Sequence, residues 1–232
     1  EMLCAWGYHR ALPHLPDSTN IGYSAIAADW SCTYAKADDW YVFDEKDPQG
    51  RKLSPKRLSA ASELYCGWSH TFALCAETEE DGRINKSLIG FGNNHSGQLG
   101  LPPAETPTVS ASAPARVPLH VGCEPVSASC GETQSLIVCA DGSVLVCGEA
   151  ERAGALLGSE ECKGEEEGCA ELEQQCSVIV PPAPVALAPG VHIVQVACGW
   201  SHSVLVSEDG RVFTFGVGHF GALGHGGGWG KA

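Results

Sequence analysis

One sequence pattern recurs three times in this chain: a Cys-Gly pair, an apolar run, an Asp-Gly pair and a second apolar run that ends in Gly. The copies lie at 64–92, 127–148 and 196–216, and the first and last share the pentad Cys-Gly-Trp-Ser-His. The pentad holds a thiol, a hydroxyl and an imidazole, so it is either a chemical site or one structural position that is filled repeatedly. A recurrent unit is typical of repeat proteins, in which each copy is one supersecondary element. This pattern therefore constrains the fold more than any other feature of the chain.

Each copy predicts a β-hairpin, because Asp-Gly between two apolar runs is a turn in which Gly accepts a positive φ. The residue after Cys-Gly precedes the Asp by nine positions in the second and third copies and by thirteen in the first. We therefore expect the same two antiparallel strands in each copy, with a four-residue extension of the first hairpin.

A weaker fourth copy precedes these three. It places Trp30 at the tryptophan position of the pentad, and Asp39 again follows nine residues later. Cys32 stands where the pentad has His, and Trp40 stands where the turn Gly is expected. A fragment at 4–15 matches only the aromatic-Gly end of a copy.

The glycines that follow each hairpin complete the pattern. The segments are "GNNHSGQLG", which begins at Gly92, and "GVGHFGALG", which begins at Gly216. In both, further glycines lie five and eight residues after the first one. Together with "CGWSHTFAL" and "CGWSHSVLVSEDGRVFTFG", these segments resemble the repeat of the regulator-of-chromosome-condensation family, which forms β-propellers. Repeated glycines and aromatics in each blade are typical of propellers. The resemblance implies an all-β propeller.

The resemblance also implies one domain over 1–232. Its repeats are expected near 22–45, 60–101, 123–158 and 190–226, with a fragment at 1–16. Insertions are predicted at 102–118, a Pro/Ser/Ala loop, and at 149–177, an acidic loop with a possible short helix. Family members normally close seven blades into a ring, whereas about four repeats and a fragment are recognisable here. We therefore expect a partial propeller, whose ring is either truncated or completed by missing residues or by a partner.

The repeated positions are predicted to be structural parts of the blades. Gly allows backbones to approach closely near the propeller axis, and the His and Trp are expected to pack or to form hydrogen bonds within the blade. These positions are Cys66, Gly67, Trp68, His70, Asp81, Gly82, Gly92, Gly97, Gly100, Cys130, Gly131, Asp141, Gly142, Gly148, Cys198, Gly199, Trp200, His202, Asp209, Gly210, Gly216, Gly221 and Gly224.

Partner binding is expected in the loops, because propeller blades supply a rigid platform for variable loops. The acidic segment 160–173 is either a solvated loop or a docking segment for a basic partner. The candidate partner-binding residues are Glu165, Glu166, Glu167, Asn94, His95, His219 and Phe220.

No catalytic residue, metal ligand or cofactor is predicted. "GWSH" lacks the final Gly of a nucleophile elbow, and the chain lacks the strand-turn-helix context that a hydrolase requires. "GGGWGKA" ends without the Ser or Thr of a phosphate-binding loop. Cys162, Cys169 and Cys176 would lie about 10 Å apart along a helix, which is too far apart for one zinc ion.

Composition excludes some partners. The net charge of -14 argues against direct nucleic-acid binding, which requires basic surfaces, but leaves basic protein partners open.

The sequence contains no run of 18 apolar residues, so no membrane span is predicted. The twelve cysteines form no C-x-x-C pair and follow no visible signal peptide, so we expect free thiols in a reducing intracellular compartment, the cytoplasm or nucleus.

The predicted function is that of a non-enzymatic protein–protein interaction scaffold, a subunit or accessory factor of a larger assembly. The family resemblance implies two alternatives: guanine-nucleotide exchange on a small GTPase, or association with chromatin or histones. Exchange residues cannot be assigned, because the recognisable motifs are those of the blades.

Overall fold

The computed structural model describes residues 24–44, 51–53, 58, 61–78, 82, 84–149, 178–218 and 221–224. Within these ranges the chain forms four antiparallel sheets, one for each repeat, in chain order. The first sheet consists of β1 (Ala25–Ala28), β2 (Cys32–Lys36), β3 (Trp40–Asp44) and β4 (Arg51–Lys52). The second consists of β5 (Ala61–Cys66), β6 (His70–Thr78), β7 (Ile84–Asn93), β8 (Thr108–Val109) and β9 (Ala115–Arg116).

The other two sheets follow the same order. The third consists of β10 (Pro125–Cys130), β11 (Gln134–Cys139), β12 (Val144–Glu149) and β13 (Val178–Pro184). The described part of the fourth consists of β14 (Ile193–Cys198), β15 (His202–Ser207) and β16 (Val212–Gly216). A helix long and apolar enough to cross a membrane is not found in the described ranges.

The predicted hairpins are confirmed. β11 pairs with β12 and β15 with β16, and their turns contain Gly142 and Gly210 with φ of 79° and 84°. The Ser143 N–H and hydroxyl both donate to Asp141 Oδ1, which stabilises the third-sheet turn. The β6–β7 hairpin is longer, as expected, and runs from the His70–Gly92 pair to Thr78–Ile84. Asp81 lies outside the described residues.

Each sheet also begins with a strand that the hairpin pattern does not predict. β1, β5, β10 and β14 pair with the first hairpin strand of their own sheet. The register shifts near the start of β5, β10 and β14 at equivalent places, between Ala61 and Glu63, Pro125 and Ser127, and Ile193 and Gln195. β1 and β10 each contain a single large apolar residue, Ile26 and Val126, so their apolar alternation is weak in the sequence.

The segment 102–118 differs from the predicted insertion. It contains β8 and β9, which both pair with β7 and so supply the outer strands of the second sheet. β13 occupies the outer position of the third sheet, directly after 149–177. It contains three prolines, at positions 181, 182 and 184. Proline has no N–H to donate to a neighbouring strand, so it is tolerated in an edge strand, where one side has no neighbour to pair with.

The core lies between neighbouring sheets. In the third sheet, Ile137 and Leu145 face one apolar cluster, which includes Phe72 of the second sheet. Leu136 and its neighbours on the same side face another cluster, which includes Leu205 of the fourth sheet. Successive strand residues point to opposite faces, so the near-continuous apolar runs of β11 and β12 follow from burial on both sides.

The prediction of free thiols is wrong for one pair. Cys123 precedes β10 and Cys139 ends β11, and the two form a disulfide with Cα atoms 5.7 Å apart. Pairing of β10 with β11 brings their ends together, an adjacency that sequence spacing did not reveal. Six other described cysteines retain thiols: Cys32, Cys66, Cys75, Cys130, Cys147 and Cys198.

Reduction of this disulfide is expected to lower the free energy of unfolding by about 2 to 3 kcal/mol, because the bond closes a short loop in the unfolded chain. Urea denaturation with and without reductant measures the effect. Cys123→Ser should match the reduced wild-type protein and should not respond to reductant. Equal stability of the oxidised wild-type protein and the variant would contradict this prediction.

Candidate functional site

Four short loops join the first and second strands of the sheets, at 29–31, 67–69, 131–133 and 199–201, and we call them the slot loops. All four close with the same kind of backbone bond. The N–H groups of Gly67, Gly131 and Gly199 donate to the carbonyls three residues later, each at 2.8 Å, and the Asp29 N–H donates to the Cys32 carbonyl at 3.0 Å. The repeated pentad thus marks one loop conformation that every described sheet uses.

The first slot loop is held by a side chain in addition to its backbone bond. Asp29 Oδ1 accepts the N–H groups of Ser31 and Cys32, both at 2.7 Å, while Oδ2 accepts the Tyr34 hydroxyl at 2.8 Å. The carboxylate therefore holds the turn that carries Trp30. Burial, followed by the nearby Asp29 charge, raises the pKa of Tyr34, so its hydroxyl stays protonated as the donor.

Asp29→Ala is expected to lower the free energy of unfolding by about 2 kcal/mol, because it removes the acceptor of several backbone and side-chain donors. Chemical denaturation measures this loss. Asp38→Ala is the matched control, since the described partners of Asp38 are surface groups, Tyr41 and Lys52. A loss no larger than that of the control would contradict the structural role of Asp29.

The slot loops bond to one another in ring order. The Trp30 N–H donates to the Trp68 carbonyl at 3.3 Å, and the Trp68 N–H donates to the Gly131 carbonyl at 3.0 Å. The Glu132 N–H donates to the Trp200 carbonyl at 3.2 Å. A Cβ on Gly67 would collide with the Gly131 carbonyl oxygen. The four loops therefore form a continuous belt in which the backbones of neighbouring blades touch.

Three tryptophans cluster on this belt. The Trp68 ring stacks on Trp30 with centroids 4.0 Å apart and contacts Trp200 at 4.4 Å. We predicted that Trp68 and Trp200 pack within their blades, but the contacts cross between blades. Trp30 is 58% exposed and Trp200 is 54% exposed. We call the four slot loops, with these rings, the tryptophan face.

An open groove of about 280 Å³ adjoins the tryptophan face. It is lined by residues of β1, β5 and β10, the first strands of three sheets. Ala28, Cys66 and Cys130 line the groove and immediately precede their slot loops. The groove therefore reaches the residues at which three of the slot loops begin.

A buried hydrogen-bond chain fastens the second blade to the third. His70 Nε2 lies 2.7 Å from the Ser135 hydroxyl, and that hydroxyl donates to the Gln98 carbonyl at 2.9 Å. Because the hydroxyl proton is used, Nε2 carries the hydrogen and donates to Ser135. Nδ1 is then a buried acceptor that has no hydrogen-bond partner among the described residues. Burial lowers the pKa of His70 to about 3, so the imidazole is neutral.

The Cys-Gly thiols make a second kind of contact between blades. The Cys130 thiol donates to the Tyr65 carbonyl, and the Cys198 thiol donates to the Ser129 carbonyl, both at 3.3 Å. Burial raises the pKa of Cys66 to about 12 and that of Cys198 to about 11, and it also raises the pKa of Cys130. Groups of three or more His, Cys, Asp or Glu side chains that could hold a metal are absent from the described ranges.

Asn94 corrects one of our partner-binding predictions. Its side chain is fully buried and donates to the carbonyls of Leu101 and Thr106. Its Oδ1 accepts the Leu99 N–H at 2.9 Å. Asn94 therefore shapes its own loop and is not available to a partner. His95 next to it is exposed, whereas Glu165, Glu166, Glu167, His219 and Phe220 lie outside the described residues.

The other predicted glycines with positive φ lie at the ends of strands or in the segments that follow them. Gly92, Gly148 and Gly216 have φ near 100°, and a Cβ on Gly92 would collide with the Ser69 carbonyl. Two further pairs have φ of 72° to 74°, namely Gly97 with Gly100 and Gly221 with Gly224. Gln98 and Ser135 were not predicted, although Gln98 lies within the "GQLG" segment that supports the resemblance.

Comparison with known proteins agrees with this geometry. Two family models described as the regulator of chromosome condensation (RCC1) repeat match residues 87–138 and 193–222. The probable E3 ubiquitin-protein ligase HERC3 of Homo sapiens is 31% identical over 85% of this chain and 18% of its own length. The protein RCC2 homolog of Xenopus laevis is 30% identical over 69% of this chain and 30% of its own length.

A solved structure shows the same fold. Prp20p from Saccharomyces cerevisiae superposes with a TM-score of 0.67 at 20% identity, covering 92% of this chain and 50% of Prp20p. The predicted all-β propeller architecture is therefore confirmed. The chain spans less than a third of the two curated relatives and half of Prp20p.

Proposed function

This chain is an RCC1-like repeat protein, and we propose that it is a non-enzymatic, intracellular protein-binding propeller. It serves as a subunit or accessory factor of a larger assembly and binds its partner through the tryptophan face. The observation that carries this proposal is the exposure of more than half of Trp30 and Trp200 on a belt of four bonded loops. Tryptophan is enriched among the residues that contribute most to protein–protein binding.

The rigidity of the face supports a binding role. Backbone bonds join each slot loop to the next, and the His70–Ser135–Gln98 chain holds the second blade against the third. A pre-organised surface loses little side-chain and loop entropy when a partner binds, and this increases affinity. The exposed rings are therefore presented in a fixed arrangement.

The protonation states of the nearby groups also favour binding over covalent chemistry. The raised pKa of Cys66 keeps its thiol protonated, whereas a thiol nucleophile must be a thiolate. The lowered pKa of His70, together with its burial, removes the imidazole from general acid–base work near neutral pH. Ligase activity, which is named for HERC3, is not proposed for this chain.

Guanine-nucleotide exchange is the second candidate. The structure of Prp20p is described with its binding to Gsp1p and histones, and this chain superposes on half of that protein. An exchange role would consist of stabilising a nucleotide-free small GTPase, without covalent chemistry. It would use the same rigid propeller surface.

The test is the native mass of the tagged full-length protein in its own cells, with identification of the chains that co-purify. The proposal expects partners in a fixed ratio and a mass well above that of the polypeptide alone. A single polypeptide at every purification step would contradict the proposal. A parallel assay of nucleotide release from a panel of small GTPases decides the second candidate, which requires acceleration at catalytic concentrations of the propeller.

A further inference from the structure

The tryptophan face combines exposed rings with an excess of negative charge. Its loops contain two carboxylates, Asp29 and Glu132, and no Lys or Arg. A third carboxylate residue, Glu149, donates its N–H to the Thr133 carbonyl at 3.0 Å and so borders the third slot loop. The groups at this end of the blades therefore favour a cationic ligand.

The position of Glu132 is the most informative. It occupies the third slot, between the slots of Trp68 and Trp200, and its N–H bonds to the Trp200 carbonyl. It is half-buried, and within the described residues its carboxylate forms no ion pair. The backbone bond makes Glu132 and Trp200 neighbours on the face, and a carboxylate near an exposed indole would offer a cation both a counter-charge and a ring face.

We propose that the tryptophan face binds a basic protein segment, with an Arg or Lys side chain of that segment lying against the Trp200 ring beside Glu132. The proposal rests on the proposed function and adds the chemistry of the partner. The net charge of -14 steers a basic segment toward the chain, and the tryptophan rings select a cation once it arrives.

Fluorescence anisotropy of labelled octa-arginine and octa-lysine peptides on the full chain tests the proposal. Trp200→Ala should weaken binding about 3- to 30-fold, the range for loss of one cation–π contact. Glu132→Gln should weaken it about 2- to 5-fold. Two controls should stay within about twofold of wild type: Glu105→Gln, which removes the same charge from an exposed site, and Val121→Ala, which changes a fully exposed apolar residue. Thermal melts establish that each variant folds.

Two results would contradict the proposal. The first is equal affinity of wild type and Trp200→Ala, together with loss of binding to both when salt is added. That result would mean that the acidic chain attracts basic peptides by its overall charge, without a binding site. The second is binding of octa-glutamate or of a DNA duplex as tightly as octa-arginine. If native partners co-purify but no basic peptide binds, this inference fails while the proposed function stands.

Discussion

Between pH 7.5 and pH 4, the wild-type chain is expected to lose about 3 kcal/mol more stability than its His70→Gln variant. Burial lowers the pKa of His70 in the folded chain to about 3, whereas an unfolded His titrates near 6.5. Below pH 6.5 the unfolded chain therefore takes up a proton that the folded chain refuses. The contribution of neutral His70 is complete above pH 6.5 and is lost as the pH falls from 6.5 toward 3.

Gln is the appropriate replacement because Gln134 occupies the position in the third blade that His70 occupies in the second. Both residues follow directly after a slot loop. Gln can still donate to Ser135, but it does not titrate. Urea denaturation of both proteins at several pH values gives the difference directly, because every other group titrates alike in the two. Stability curves of wild type and His70→Gln that run parallel across this pH range would contradict the buried neutral imidazole.

Gly67→Ala is expected to be among the most destabilising single substitutions at neutral pH, with a loss of about 3 to 5 kcal/mol in the free energy of unfolding. The new Cβ would collide with the Gly131 carbonyl oxygen and lie 2.8 Å from both Cys130 Cβ and His70 Cε1. A flexible side chain could move away, but the backbone carbonyl of Gly131 is held in a hydrogen-bonded loop and cannot. The two blades must separate, which also weakens the bond from the Trp68 N–H to Gly131.

Gly210→Asn is the matched control for this substitution. Gly210 has φ of 84° in the β15–β16 turn, and an added Cβ there would meet nothing within 4 Å. Asn tolerates this backbone conformation, so the loss should stay below about 1 kcal/mol. Equal losses in the two variants, measured by chemical denaturation, would mean that the Gly67 contact does not hold the blades together.

The hairpins could be predicted from sequence because their determinants are local. Asp141-Gly142 and Asp209-Gly210 sit between apolar runs, and turn chemistry of this kind depends on adjacent residues. The strands that precede Cys-Gly were missed because their stabilising partners are the hairpins themselves. A segment such as Ser127-Ala128-Ser129 has little apolar period of its own.

The candidate site was harder to predict, because its contacts join distant parts of the chain. Ser135 follows its partner His70 by 65 positions, and no local pattern relates the two. The pentad marked Trp68 and Trp200 as equivalent positions, but it did not show that their rings meet across the third slot. Exposure of Trp200 depends on how the blades surround the axis, which a repeat pattern does not specify.

The role of the tryptophan face is tested most directly by the affinity of the purified native partner for wild type, Trp200→Ala and Val121→Ala, measured side by side by calorimetry. Trp200 is an exposed ring of the cluster, whereas Val121 is exposed and apolar without belonging to it. The proposed function predicts a loss of at least about tenfold for Trp200→Ala and no change for Val121→Ala. Equal affinity for all three proteins would contradict it.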